Sequence, residues 1–69
     1  MDIYTPPGQK VRYINRHGHD SEREFANLHL QEGAVYTLLR SKLFKFRTEI
    51  YLEEFPEMPF NSVMFENVK

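Results

Sequence analysis

Chemistry, if this chain performs any, would have to come from three sets of residues. His17-x-His19-Asp20, with His29 ten residues beyond His19, gathers imidazoles and a carboxylate, the donor types that suit zinc or nickel. Their spacing matches no metal-site signature, and a polar loop flanking Gly18 is where solvent-facing histidine is ordinary. No metal or other cofactor is therefore expected at His17, His19 or His29. Glu22-Arg23-Glu24 offers carboxylates for acid–base work, but neighbours on a helix point apart, and no nucleophile or oxyanion donor set accompanies them. Ser21, Ser41 and Ser62 fall at cap or turn positions, which accounts for them without catalysis. A non-enzymatic protein is expected.

Two further stretches suit binding rather than reaction. Arg40-Ser41-Lys42-Leu43-Phe44-Lys45-Phe46-Arg47 interleaves the cations Arg40, Lys42, Lys45 and Arg47 with aromatics, a composition that can meet phosphates. Against this, alternation along the following strand puts Phe44 and Phe46 on its core-facing side, leaving a solvated basic hairpin whose lysines discourage edge pairing. Glu53-Glu54-Phe55-Pro56-Glu57-Met58-Pro59-Phe60 places carboxylates around apolar side chains, with Glu53, Glu54, Phe55 and Met58 as the candidate contacts for a partner protein. Phe60 is expected in the core.

The elements that must position these residues belong to a single small domain. Sixty-nine residues bury a modest share of their surface, and without cysteine neither a disulfide nor a cysteine-ligated zinc can brace the fold. The core must come from aliphatic residues with six Phe and four Tyr. The net charge of −1 argues neither for nor against nucleic acid, yet cations cluster mid-chain and Glu53, Glu54, Glu57 and Glu66 lie in the last quarter, so a basic and an acidic edge are expected. No apolar run is long enough to span a bilayer, and the opening residues lack the basic and hydrophobic regions of a signal peptide. The expectation is a soluble cytoplasmic protein that does not engage membrane.

Pro6-Pro7-Gly8 makes residues 1–9 an extended N-terminal arm, followed by one domain over 10–69. Residues 10–15 alternate as a first strand with Val11 and Tyr13 inward. Ser21 and Glu24 have the spacing of a capping box, which predicts a short helix from Glu22 to Leu28 buried through Phe25 and Leu28. Gln31-Glu32-Gly33 marks a turn before a strand over 34–39, and a hairpin tip near 41–43 leads to a strand through Leu52 that Pro56 and Pro59 end. A one-turn helix at 61–64 and a last strand over 65–68 complete the chain. Four or five short strands with one helical insert argue for a small barrel.

Leu30-x-x-Gly33-x-x-Tyr36, and Asn61-Ser62-Val63-Met64 running into Phe65-Glu66-Asn67-Val68, resemble the turn and the 3₁₀ closure of Src-homology-3-like barrels. The longer series Val11-Arg12-Tyr13-Ile14, His17-Gly18, Glu22-Arg23-Glu24, Leu30 to Thr37, Tyr51 to Pro56 and Phe60 to Glu66 is similar to a group of small proteins encoded by bacteriophages and prophages. This resemblance implies a mainly β fold, a small antiparallel Src-homology-3-like barrel of four to five strands with a short helical insert. It also implies an accessory factor that engages a host protein, as an inhibitor of a host or defence enzyme, and it carries over no catalytic residue. The absence of Trp departs from the aromatic groove that binds proline-rich peptides. Nucleic-acid binding through the basic hairpin is the alternative expectation, and association through an unpaired barrel edge is a third.

Overall fold

Alternation of apolar and polar residues gives this chain its strands, and the computed structural model, which describes residues 1–68, arranges them as β1 (Lys10–Tyr13), β2 (Val35–Leu43), β3 (Thr48–Leu52), β4 (Phe55–Asn61) and β5 (Phe65–Asn67). All pair antiparallel in the order β4-β3-β2-β1-β5, a single sheet whose outer strands β4 and β5 do not pair with one another. The fold is thus mainly β, as expected, with a barrel-like sheet that is not closed. Lys69 lies outside the described residues.

β2 bends the sheet. Its first residues pair with β1, Val11 opposite Tyr36, and its later ones with β3. The register slips between Leu38 and Arg40, where an extra residue strengthens the local bend. The curled inner face carries Val11, Tyr13, Leu38, Ile50, Leu52, Phe60, Met64 and Phe65, each at most 1% exposed. Rings of Tyr13, Phe65 and Phe60 follow one another at 5.6 and 6.1 Å in tilted and edge-on contact, so aromatics fill a core that has few positions.

Helix α1 (Asp20–Asn27) lies between β1 and β2 and starts two residues earlier than the sequence suggests. His19 occupies the capping position, and Glu22, not Glu24, reaches back to accept the His19 backbone N–H at 2.9 Å. The shift rotates the buried face: Ala26 is fully buried, whereas Phe25 is 40% and Leu28 78% exposed. Leu30, just past the helix, takes the core position expected of Leu28.

β4 is a strand that two prolines hide from a reading of the sequence. It is an edge strand, where a missing N–H costs no ladder bond, so Pro56 and Pro59 are tolerated and also blunt that edge against pairing with another chain. At the other edge, residues 1–9 do not stand off as an extended arm: Met1, Asp2 and Thr5 bond to β5, while Gly8 and Gln9 bond to Leu38 of β2. The Met1 amino group donates to the Phe65 carbonyl at 2.8 Å, the Asp2 N–H to Asn67 Oδ1 at 2.8 Å, and Thr5 is buried. The 3₁₀ turn Ser62–Met64 forms where expected, capped by the Asn61 side chain accepting from the Val63 N–H at 3.2 Å.

Candidate binding surface

The hairpin joining β2 and β3 differs most from expectation. Its tip is Phe44–Arg47, closed by the Phe44 N–H donating to the Arg47 carbonyl at 2.8 Å, and not residues 41–43. Four residues that the alternation assigns to β3 therefore belong to a loop. Phe44 and Phe46, expected on the buried face, are 46% and 90% exposed, while Thr48, Ile50 and Leu52 keep the inward register.

Longer pairing carries the cations outward with rings beside them. The Arg40 guanidinium lies 4.3 Å from the centroid of Tyr51, its cross-strand partner. Lys42 Nζ sits 5.4 Å over the Phe44 ring, and Lys45 Nζ 5.4 Å over Phe46. Cation–aromatic contact orients each charge without neutralising it. Among the described residues, Arg40, Lys42 and Lys45 form no ion pair with a carboxylate.

Arg47 is different. Its guanidinium is shared by Glu22 at 3.0 Å and Glu49 at 3.1 Å. Glu22, whose side chain is only 16% exposed, also receives the His19 N–H and the Asn61 amide at 3.2 Å. Burial pushes the Glu22 carboxyl up, but the His19 N–H, the Asn61 amide and Arg47 together outweigh it and hold the group below its ordinary value of 4.5. One carboxylate thus ties the start of α1, the end of β4 and the hairpin tip together. It borders a cavity of about 280 Å³ floored by Phe25, Phe60 and Met64. Arg47 is a strap on the loop, while the other three cations of the sequence-level candidate face solvent.

The acidic stretch forms the opposite end of β3. Glu53 and Glu54 make its two-residue turn into β4. Glu54 accepts the Thr37 N–H at 3.0 Å, and the Glu53 N–H donates to the Thr37 carbonyl at 2.9 Å, so this turn satisfies the peptide groups of the bend in β2. Phe55 is half-buried against His29, Tyr36 and Phe60, with centroids 5.9, 6.4 and 6.5 Å away. Met58 packs, half-buried, on the core. Of Glu53, Glu54, Phe55 and Met58, only Glu53 is left wholly to solvent.

The histidines do not gather. His19 heads α1, His29 meets the edge of Phe25 at 5.3 Å, and among the described residues no three His, Cys, Asp or Glu side chains converge as metal ligands would. Glu22 and Glu24 are likewise separate, with Glu22 committed to its three donors and Arg23 paired with Asp20. At the far end of α1, the Tyr13 hydroxyl lies 2.8 Å from Asn27 Oδ1 and 3.0 Å from Asn15 Oδ1; its pKa is raised by burial first and by Glu32 second. No helix among the described residues is long and apolar enough to cross a membrane.

Sequence reasoning missed Tyr51, Leu43, Val63 and the exposure of both tip phenylalanines. Alternation does put Tyr51 on the solvated face, but its pairing with Arg40 depends on the bulge at Leu38/Arg40, which has no sequence signal. No known protein family, no curated protein and no solved structure matches the chain.

Proposed function

We propose that this protein is a non-enzymatic binding module for nucleic acid, with the β2–β3 hairpin as its contact surface. The observation that carries the reading is the row of Arg40, Lys42 and Lys45, each over an aromatic ring, exposed and free of carboxylate partners among the described residues. Cations fixed beside rings, of which Phe44 and Phe46 are exposed, suit a polymer that alternates phosphate and planar base. The strand order and the 3₁₀ turn before β5 support the likeness to Src-homology-3-like barrels. A cytoplasmic setting, in a host bacterium if the phage likeness holds, agrees with such a ligand.

The test is anisotropy of a labelled oligonucleotide across a salt series. Three phosphate contacts to a single strand give a slope of about −2 in log affinity against log salt. Lys42→Gln and Lys45→Gln each make that slope shallower by about 0.7. Binding that ignores salt, or ignores both substitutions, refutes the reading.

A second reading, a partner protein held by Glu53, Glu54, Phe55 and Met58, is favoured by one observation. Glu53 and Glu57 are exposed beside half-buried Met58 and form no ion pair among the described residues. Under the phage likeness that partner is a host protein, engaged as a target of inhibition. Nuclease-resistant capture of one bacterial protein, lost on Glu53→Lys, distinguishes it from the first.

A further inference from the structure

We infer that the groove behind the hairpin tip seats an unpaired nucleobase, so that the protein selects single strands over duplex; this rests on the nucleic-acid reading above. The groove, about 520 Å³, runs between the tip, the N-terminal residues and the 3₁₀ turn, and Ile3, Leu43, Phe44, Phe46 and Val63 supply its apolar lining. Those five account for more than half of the nine large hydrophobic side chains exposed in the described chain. Leu43 is 59% and Val63 43% exposed, a concentration of apolar surface that scattered exposure does not produce.

The surroundings specify the occupant. Arg40 and Lys42 are successive outward positions on β2, roughly 6.8 Å apart at the rise of an antiparallel strand, a step comparable with successive phosphates of an extended single strand. Lys45 continues the row past the tip and also lines the groove, beside Arg47, whose charge is shared by Glu22 and Glu49. The apolar opening therefore has Lys45 on its rim, a cation without a carboxylate partner among the described residues, and Lys42 adjoins it through the Phe44 ring. Phe44 belongs to both features, lying under Lys42 Nζ and forming one wall of the groove. A base turned off that backbone meets the wall, and Phe46 at the tip offers a second ring for its neighbour. Stacking of this kind needs the base face uncovered, which a duplex denies. Thr48, Asn61 and Ser62 give the lining few polar atoms, in keeping with seating a base without reading its identity.

The experiment compares four labelled probes at fixed salt: a short oligothymidylate, an abasic strand of equal length and charge, a duplex, and an acidic peptide carrying phenylalanine. Phe44→Ala and Val63→Ser are the variants, their folding checked by circular dichroism, since both positions are substantially exposed. The expected result is roughly tenfold tighter binding of oligothymidylate than of abasic strand or duplex. Each variant should erase most of that advantage, and Val63→Ser, which removes no ring beneath a cation, should leave the salt slope unchanged. Equal binding of oligothymidylate, abasic strand and duplex, or variants that change nothing, overturns the base pocket while leaving the basic hairpin standing. Failure of every nucleic-acid probe overturns both. Groove-dependent binding of the peptide alone overturns the inference in favour of a protein ligand.

Discussion

Replacing Glu22 by Gln removes one negative charge from the point where α1, β4 and the hairpin meet, and the cost can be worked from its partners. Glu22 accepts from the His19 N–H at 2.9 Å, the Asn61 amide at 3.2 Å and Arg47 at 3.0 Å. Gln keeps one acceptor oxygen and turns an NH₂ toward groups that are themselves donors. Hydrogen bonds to a charged group contribute about 1.5–3 kcal/mol, and one neutral bond of about 1 kcal/mol survives. The Arg47 side chain is 44% exposed, so solvent screening reduces its share to less than about 1 kcal/mol. The net loss is about 1–2 kcal/mol, which in a domain of this size lowers Tm by roughly 5–15 °C. Because the Glu22 carboxyl is held below its ordinary 4.5, its contribution is fully present above pH 4.5 and is lost as pH falls through the lowered folded-state value. Thermal unfolding followed by circular dichroism at pH 7 and pH 3 checks this: the variant should melt lower at pH 7, and the difference should shrink at pH 3. No difference at pH 7, or an undiminished one at pH 3, refutes the role assigned to Glu22.

Phe46→Ala should leave stability within about 0.5 kcal/mol, since the ring is 90% exposed, whereas Ile50→Ala, four residues on and fully buried, should cost about 2–5 kcal/mol in urea unfolding. Arg47→Gln should lower stability by less than about 1 kcal/mol and leave the salt slope of oligonucleotide binding nearly unchanged, because its charge is already shared by Glu22 and Glu49; anisotropy separates it from Lys45→Gln. Glu54→Ala should cost about 1 kcal/mol by removing the acceptor of the Thr37 N–H, with no effect on oligonucleotide affinity.

Strands with one solvated face were legible because their side chains alternate. Val11 and Tyr13, and Thr48, Ile50 and Leu52, fall inward as the sequence suggests. The one-turn helix after Asn61 was equally legible, because Asn61 can cap its own backbone. What stayed hidden depends on tertiary context. Pro56 and Pro59 end a central strand but are compatible with an edge, and nothing local says that β4 is an edge. The first turn of α1 is set by Glu22 meeting Arg47 and Asn61, distant in sequence, and this makes His19 the cap in place of Ser21.

The hairpin was the costliest error for reading function. Alternation runs unbroken through Phe44 and Phe46, and no Gly or Asn marks the tip, so the loop could not be told from the strand. Placing those rings in the core removed the aromatic half of the basic surface. The cations themselves were visible, but that Arg47 differs from Arg40, Lys42 and Lys45 depends on Glu22 and Glu49. The acidic stretch misled in the opposite sense, since Glu54 and Phe55 look available in sequence yet have partners within the fold.

The most direct measurement of the proposed binding surface is an amide NMR titration of the protein with a short oligothymidylate. The account predicts shift changes confined to residues 40–48 and to the 3₁₀ turn around Val63, fading as salt rises. Changes centred on residues 53–58, or none at oligonucleotide concentrations that saturate a basic surface, would contradict it.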